Sequence, residues 1–563
     1  MAPPATAEVI VKNPALLFAL GLLLSSTAYA GPPIPISTER LMSSVATLSS
    51  DAFEGRAPGT PGEAKTIDWL VGQLKGLGLE PGGRDGSWTQ AVPLLRTQIG
   101  QGGSMRVTTS GGAMPLAQSR EIYVSTLRPV DKVAIANAPM LFVGYGVAAP
   151  ERGWDDFKGV DLHGKVAVFL VNDPDFSAQA GDDSIGKFGG RRMTYYGRWT
   201  YKFEEAARRG AIAALIVHDT PGAGYGWDTV KAPGGENYDV VRRAGDERVL
   251  LQGWIEGEAA KAVFGKAGLD LDALRVKARS ASFRPVELTD LGFSADLPVA
   301  HSVVQSRNVL AKLSGARRPR EIVMFGAHWD AYGQGAPDAE GRTVRAGAND
   351  DALGVAGLIE IARAFTAGPK PARSLVFGFW TAEERGLLGS EAYGADPIYK
   401  AADTVANLTL DILQTAGPAR DVTLIGEGQN SLEAMLAKYA AAQGRHITPE
   451  ALPERGLFYR ADHFSLARRG VPTLLMMAMG GAPDLVTGGR EGGEAWLKAY
   501  MRCYHQACDR IGSDWDLRGA AQDVEVMYRV GAELADSTAW PTWADSSEFK
   551  TIRTDDLKRH TGK

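Results

Sequence analysis

From Arg307 onwards, continuous apolar segments alternate with segments of helical periodicity, and this alternation constrains the fold more than any other feature of the sequence. Apolar runs without polar alternation are typical of strands buried on both faces, and helices between them supply the crossovers of a parallel sheet. The runs that predict strands are residues 321–327, 374–380, 407–413, 421–425 and 471–477. The clearest helical patterns are residues 354–366 and 431–442. The sequence therefore predicts an α/β fold with a mixed, largely parallel central sheet flanked by helices.

The preceding part of the chain has a different character. Residues 38–94 begin with two amphipathic helical patterns, in which Leu41, Val45 and Leu48 lie on one face of the first. Between residues 97 and 296, short β-rich runs separated by turn residues dominate, with one helical pattern at residues 203–209. We interpret residues 97–296 as an inserted, mostly β domain.

The N-terminus has the features of a secretory signal peptide. Lys12 precedes the apolar run 15–24, and Ala28-Tyr29-Ala30 stands before Gly31. The run is short for a membrane span, and no other apolar stretch has the required length, so we expect export to the periplasm or beyond and no stable membrane insertion. A net charge of −5 gives no electrostatic reason to expect binding to nucleic acid or to an anionic membrane.

The chain has two cysteines, Cys503 and Cys508, separated by only four residues. Either they form a local disulfide or they are two separate thiols that lie close in sequence. Export to an oxidising compartment favours the disulfide.

Residues capable of binding a metal follow the predicted strands. His328 and Asp330 come after the first strand, Glu383 and Glu384 come after the second, and Asp411 lies in the third. Further candidates are Asp350 and Asp351 before a helix, the pair Asp462 and His463, and the pair Tyr504 and His505. Ligand sites of parallel sheets lie beyond the carboxyl ends of the strands, so we expect these side chains to converge.

The residue types suit zinc hydrolysis. Zinc accepts imidazole nitrogen together with carboxylate oxygen, and two such ions need a shared carboxylate between them. Hydrolysis also needs a carboxylate that is not a ligand and can take a proton from water. Adjacent glutamates at a strand end can divide these two tasks, because successive side chains point in different directions.

Taken together, these motifs resemble the M28 family of zinc peptidases, which includes bacterial leucyl aminopeptidases and glutamate carboxypeptidases. The matching segments, in family order, are GAHWD (326–330), GANDDALG (347–354), TAEERGLLGS (381–390), Asp411, DH (462–463) and YHQACD (504–509). The resemblance covers about residues 38–95 and 300–540, and residues 97–296 are similar to the protease-associated domain inserted in such enzymes.

The resemblance implies a role for each matching residue. Asp350 would bridge two zinc ions, Glu384 and His505 would complete one site, and His328 and Asp411 would complete the other. Glu383 would be the general base. Asp330 would orient His328 from behind, as carboxylates do for metal-bound imidazoles. The bond between Asp350 and Asp351 is cis in the family.

Other residues have less certain assignments. His463 is the competing candidate for the last histidine ligand, but the resemblance places Asp462 and His463 in the substrate pocket and favours His505. Tyr504 could donate a hydrogen bond to the oxyanion, with Tyr459 as a weaker candidate, and a purely packing role is the alternative for both. Arg191, Arg192, Arg198, Arg385 and Arg460 are candidates for binding a substrate carboxylate.

The resulting prediction is an exported di-zinc peptidase that cleaves terminal peptide bonds, most simply an aminopeptidase. Carboxypeptidase, dipeptidase or glutaminyl cyclase chemistry on the same site and a non-catalytic receptor remain alternatives, whereas a serine hydrolase lacks the required Gly-x-Ser-x-Gly motif. The predicted organisation is a signal peptide (1–30), the first part of the peptidase domain (31–96), the inserted domain (97–296), the catalytic domain (297–545) and a tail (546–563).

Overall fold

A strand of 28 residues, Val286–Leu313, runs through both parts of the molecule's large β-sheet. The computed structural model describes residues 36–561 apart from 244 and 247. The predicted signal peptide therefore lies outside the described residues.

The elements are numbered in chain order. The strands are β1 (Glu80–Pro81), β2 (Thr89–Ile99), β3 (Ser104–Thr109), β4 (Gly112–Pro115), β5 (Ile122–Ser125), β6 (Lys132–Phe142), β7 (Ala148–Ala149), β8 (Trp154–Asp155), β9 (Val166–Leu170), β10 (Ala213–Val217), β11 (Glu236–Val240), β12 (Leu251–Ile255), β13 (Val286–Leu313), β14 (Arg318–His328), β15 (Gly333–Gln334), β16 (Val344–Arg345), β17 (Arg373–Trp380), β18 (Thr404–Leu410), β19 (Asp421–Leu424), β20 (His446–Pro449) and β21 (Thr473–Met476). The helices are α1 (Thr38–Leu48), α2 (Pro61–Gly76), α3 (Trp199–Arg208), α4 (Thr220–Ala223), α5 (Gly257–Lys266), α6 (Leu271–Lys277), α7 (Leu353–Ala367), α8 (Leu388–Ala395), α9 (Leu432–Ala442), α10 (His463–Ala467), α11 (Gly489–Cys503), α12 (Arg518–Asp536) and α13 (Lys550–Thr561).

The main sheet has the order β21-β18-β14-β17-β13. Strands β21, β18, β14 and β17 are parallel to one another, while β13 is antiparallel to β17. Every residue of β17 and of β18 is buried, as expected for strands covered on both faces. The predicted α/β fold with a mixed, largely parallel sheet is confirmed.

Helices cover the main sheet because each presents an apolar face to it. Leu41, Val45 and Leu48 of α1 are buried at the spacing that the sequence indicated. Ser37 caps this helix through a hydrogen bond that its hydroxyl accepts from the Arg40 amide. Helices α7 and α12 contribute to the same core, in which Phe325 and Phe377 of the sheet stack with ring centroids 5.5 Å apart.

The inserted segment, residues 97–296, continues the sheet on the other side of β13. Its strands follow the order β13-β6-β9-β10-β12-β5, and β6, β9, β10 and β12 are mutually parallel. Buried residues form apolar clusters on both faces of this sheet. We call residues 97–296 the inserted module.

The structure differs from the sequence interpretation in several details. The boundaries at 97 and 296 fall inside β2 and β13, which pair with each other from Thr89 to Ile99. The module contains α4, α5 and α6 in addition to the single helix expected there. Strand β19 pairs with β20 and does not join the main sheet. Strand β18 ends at Leu410, so Asp411 follows the strand.

The predicted C-terminal tail is also structured over the described residues, since 550–561 form α13. Arg553 of this helix donates hydrogen bonds to the carbonyl oxygens of Ala401 and Thr404. Over the part of the chain that the structure describes, no helix has both the length and the apolar character needed to cross a membrane.

Candidate metal centre

Three parallel strands end at the same edge of the main sheet, and each is followed by a predicted site residue. His328 is the last residue of β14, Asp411 directly follows β18, and Glu383 and Glu384 follow β17 after a two-residue turn. In that turn Ala382 has a φ of 51° and breaks the strand. The parallel arrangement therefore brings the side chains to one location, as the sequence pattern predicts.

Asp350 reaches the same location from the turn Ala348–Ala352, which precedes α7. The peptide bond between Asp350 and Asp351 is cis. The Asp509 carboxylate accepts hydrogen bonds from the amides of Asn349 and Asp350, both at 3.0 Å. Asp509 thus holds the backbone that carries Asp350.

A fully buried arginine, Arg56, binds the segment that leads into the turn Ala348–Ala352. The guanidinium of Arg56 donates hydrogen bonds to four carbonyl oxygens, those of Leu48, Trp329, Ala346 and Gly347. It therefore ties together the end of α1, the residue after His328 and the segment leading to Asp350. The sequence pattern alone did not indicate this residue.

The two oxygens of Asp350 face two different histidines. The first, Oδ1, lies 3.1 Å from Nε2 of His328, while Oδ2 lies 3.3 Å from Nε2 of His505. Asp411 Oδ1 is 3.9 Å from His328 Nε2, and Glu384 Oε2 is 3.2 Å from His505 Nε2. Asp350 is thus shared by two groups of three ligands, His328–Asp350–Asp411 and Asp350–Glu384–His505, each with its donor atoms within 4.8 Å of one another.

These groups fit divalent cations. Burial and neighbouring carboxylates raise the pKa of Glu384 well above its usual range, and that of Asp411 to about 8. Asp411 Oδ1 is buried without a hydrogen-bond partner in the described structure. Crowded, desolvated carboxylates and an unpartnered acceptor are the conditions that a bound cation relieves, and the mixed imidazole and carboxylate donors suit zinc.

Glu383 stands beside the ligand groups without belonging to either of them. Its Oε2 lies 3.9 Å from His328 Nε2, and its side chain is 10% exposed, whereas that of Glu384 is 2% exposed. Its amide donates a hydrogen bond of 3.0 Å to Asp330 Oδ1. The adjacent glutamates are therefore suited to different tasks. Glu384 belongs to a ligand group, whereas Glu383 lies beside both groups and can accept a proton.

The role expected for Asp330 differs in the structure. The partner of His328 Nδ1 is the backbone carbonyl oxygen of Asp330, at 3.1 Å, while the carboxylate oxygen Oδ1 is 3.6 Å away. The carboxylate instead accepts a hydrogen bond from the Glu383 amide. Asp330 thus orients the imidazole through its main chain and the general-base candidate through its side chain.

His505 has a partner that the sequence did not reveal. The Tyr332 hydroxyl lies 3.0 Å from His505 Nδ1, and the two ring centroids are 4.6 Å apart. Tyr332 follows β14 by four residues, so only the fold brings it to a histidine 173 positions later. Tyr504 packs against the other side of His505, with ring centroids 3.6 Å apart.

The predicted disulfide between Cys503 and Cys508 is present. It links the end of α11 to the segment after His505 and closes the loop that carries this histidine. His505 itself adopts a φ of 62°, a conformation uncommon for a non-glycine residue.

A cavity of about 410 Å³ opens between the inserted module and the candidate metal centre. Its lining includes Glu383, Glu384, Tyr504 and His505 from one side and Arg198, Trp199 and Tyr225 from the module. A site between two parts of a chain is a common location for ligand binding.

Of the three predicted pocket residues, Tyr459 lines the cavity and Asp462 and His463 do not. Asp462 and His463 are buried behind the cavity wall at the start of α10 and are not part of its lining. Burial lowers the pKa of His463 to about 3, so this imidazole is neutral. Tyr459 borders the cavity, but its hydroxyl donates to Glu548 at 2.8 Å and is not free for an oxyanion.

The five candidate arginines divide into two groups. Arg191 pairs with Glu454 at 2.9 Å and Arg192 donates to the carbonyl oxygen of Glu427, and neither lines the cavity. Arg198, Arg385 and Arg460 do line it.

Comparison with known proteins agrees with this site. Residues 308–528, which contain all of the candidate ligands, match the family model of Peptidase family M28. The matched residues carry the motifs quoted above, and the resemblance of this part of the chain to M28 zinc peptidases is confirmed.

Characterised relatives share parts of the chain. The leupeptin-inactivating enzyme 1 of Streptomyces exfoliatus is 27% identical over 228 residues, which cover 40% of this chain and 48% of that protein. The probable lipoprotein aminopeptidase LpqL of Mycobacterium tuberculosis is 24% identical over 462 residues, covering 78% of this chain and 73% of that one. The chain thus spans about half the length of the first of these relatives.

Among solved structures, the aminopeptidase from Aneurinibacillus sp. strain AM-1 superimposes with a TM-score of 0.48 at 18% sequence identity. That superposition covers 90% of this chain and 96% of the other.

Proposed function

We propose that this protein is an exported metallo-aminopeptidase that holds two zinc ions and releases residues from the amino ends of peptides. The observation that carries the proposal is the sharing of Asp350 between two ligand groups, with Glu383 beside them and outside both. The M28 family match and the aminopeptidases among its relatives support the same activity.

His328, Asp350 and Asp411 would hold one zinc ion, and Asp350, Glu384 and His505 would hold the other. Bound zinc would supply Lewis acidity, which polarises a carbonyl group and acidifies water. Glu383 accepts the proton of the attacking water and then delivers it to the departing amine. The Asp330 carboxylate keeps Glu383 in place by accepting a hydrogen bond from the Glu383 amide, and Tyr504 would donate a hydrogen bond to the developing oxyanion.

Replacement of the general base tests the chemistry. We expect Glu383→Gln to lower kcat by about 100- to 10,000-fold, because the amide cannot accept the proton. Zinc content, measured by elemental analysis, should stay at the level of the unchanged protein because Glu383 is not a ligand.

Glu494→Gln, an exposed position on α11, is the matched control and should retain full activity. Normal turnover in the Glu383→Gln protein would rule out the assigned base. A zinc content of one ion per chain would contradict the two-metal proposal.

The reaction direction needs its own experiment. Peptides with a free amino end should be hydrolysed, while the same peptides with an acetylated amino end should be inert. Cleavage of the acetylated set with the free set untouched would replace the aminopeptidase proposal by a carboxypeptidase. Export is tested separately by cell fractionation, in which cytoplasmic retention would contradict it.

A further inference from the structure

Two arginines from different parts of the molecule face the cavity beside the candidate metal centre. Arg198 belongs to the inserted module and immediately precedes α3, while Arg460 follows Tyr459 in the M28 domain. Both are half-buried, and both line the cavity that also contains Glu383 and His505. Within the described chain, neither guanidinium forms an ion pair or a side-chain hydrogen bond.

The cavity does not supply either arginine with a carboxylate partner. Apart from Glu383 and Glu384, the acidic side chains of the lining already have cations of their own. These pairs are Glu204–Arg468 at 2.9 Å, Glu236–Arg96 at 3.3 Å, Asp239–Arg242 at 2.7 Å and Glu391–Arg469 at 3.2 Å. Of the other arginines in the lining, Arg242, Arg248 and Arg468 are paired with carboxylates. Arg385 lies near the rings of Tyr238 and Tyr332, 5.1 and 5.2 Å from their centroids.

Bringing Arg198 and Arg460 together is electrostatically unfavourable. Burial, and after it the positive charge of Arg460, lower the pKa of Arg198 to about 9. Arg198 Nε is buried without a hydrogen-bond partner among the described residues. Buried charges in proteins are normally paired, so two guanidinium groups that line one cavity without an ion-pair partner indicate an anionic ligand.

We propose that Arg198 and Arg460 form a carboxylate-binding subsite, so that the preferred substrate is a peptide with a carboxylate next to the scissile bond. Arg198 and Arg460 line the same cavity as Glu383 and Tyr504, so the subsite lies beside the candidate metal centre. The carboxylate is either the terminal one of a dipeptide or that of an acidic side chain. This proposal rests on the proposed peptidase function and adds the substrate class to it.

Aromatic residues frame the same subsite. Trp199 lies against Arg198, with the guanidinium carbon 5.1 Å from the ring centroid, and Tyr225 and Trp254 line the neighbouring wall. These rings exclude water and thereby strengthen a charge-assisted hydrogen bond to the arginines. They also offer apolar surface to the rest of the substrate residue.

Matched substrates test the proposal on the full zinc-loaded chain. The first pair is leucyl-leucine and leucyl-leucinamide, which differ only in the terminal carboxylate. The second is a pair of tripeptide amides with Glu or Gln after the scissile bond, and the third has Glu or Gln before it. We expect at least one carboxylate member to be preferred by about tenfold or more in kcat/KM, and the responding pair identifies the source of the carboxylate.

Substitutions then assign the preference to the two residues. Arg198→Gln and Arg460→Gln should each reduce kcat/KM for the preferred carboxylate substrate by about 10- to 100-fold, the loss expected for a charged hydrogen bond. Hydrolysis of the neutral partner substrate should change little. Arg106→Gln, an exposed arginine on β3 outside the cavity, is the matched control and should leave both rates unchanged.

Thermal unfolding separates a binding role from a structural one. Because neither arginine has an ion-pair partner, their replacement should not lower the Tm. Equal hydrolysis of acid and neutral members in all three pairs, or equal loss of both rates in the variants, would overturn the carboxylate subsite while leaving the peptidase function intact. Failure to cleave any of the peptides would instead contradict the peptidase function itself.

Discussion

At the scale of single residues, the candidate site depends on side chains that position the ligands as well as on the ligands. His328 is oriented by a backbone carbonyl, and His505 is oriented by the Tyr332 hydroxyl. A phenol is an unusual partner for a metal-binding imidazole compared with a carboxylate. Since it is neutral, it fixes the ring without adding negative charge to an already acidic site.

Tyr332→Phe is expected to weaken zinc binding at the His505 site by about 10- to 100-fold, as loss of such a partner typically does. The ring that packs against His505 remains, so the fold should be unaffected. Competition with a fluorescent chelator measures the affinity, and Tyr439→Phe on α9 is a remote control. Unchanged affinity would show that the hydroxyl does not orient His505.

The five ligand candidates and Glu383 could be proposed from the sequence because they lie in short motifs that resemble those of M28 peptidases, and the fold brings their side chains together. Tyr332, Asp509 and Arg56 were not assigned roles because their partners are far away in sequence. Asp462 and His463 were expected in the pocket, but the direction in which a short helix faces depends on packing. The strand boundaries of the main sheet were predicted to within a few residues, because each strand is a continuous apolar run in the sequence.

At the scale of elements, the turn before α7 is held by groups from three directions. The Asp509 carboxylate accepts a hydrogen bond from the Asp350 amide, and the Arg56 guanidinium donates one to the carbonyl oxygen of Gly347. The Asp351 carboxylate accepts a hydrogen bond of 3.0 Å from the Gly354 amide. The position of Asp350 is therefore set by the surrounding elements before any metal binds. Such preorganisation is what a site with a shared ligand requires.

Arg56→Met is expected to destabilise the protein by about 3 kcal/mol or more, because four buried carbonyl oxygens lose their donor. The zinc content should fall as well, since the turn that carries Asp350 is released. Denaturant unfolding and elemental analysis are the measurements. Arg106→Met is the exposed control, and a stability equal to that of the control would contradict the role of Arg56.

At the scale of the whole molecule, the inserted module is joined to the rest of the chain by an ion pair as well as by strands. Glu204 of α3 pairs with Arg468, which follows α10. Burial opposes the charge of Glu204, but Arg468 and Arg248 outweigh it and lower the pKa to about 2 from 4.5. This ion pair therefore anchors α3, the helix that follows Arg198 in the cavity wall.

The pKa of Glu204 predicts a dependence of stability on pH. A carboxyl group whose pKa is depressed by folding stabilises the native state above its unfolded pKa, and the contribution is lost as the pH falls from 4.5 through about 2. The difference corresponds to about 3 kcal/mol at neutral pH. Glu204→Gln should therefore lower the Tm at pH 7, and the gap from the unchanged protein should close towards pH 2.

Glu258→Gln, an exposed position on α5, provides the control for Glu204 and should show no such pH-dependent gap. A Tm difference that stays constant between pH 7 and pH 3 would show that Glu204 does not titrate as expected. The titration is measured by thermal scans at matched ionic strength.

Strand β13 has a consequence for how this protein can diversify. It pairs with β6 near its start and with β17 near its end, so one continuous backbone segment belongs to both halves of the large sheet. An insertion or deletion of one residue in its middle would turn every following side chain to the opposite face. Individual cavity side chains can therefore be replaced without disturbing this strand, whereas exchange of the whole module would have to keep the register of β13 with β17.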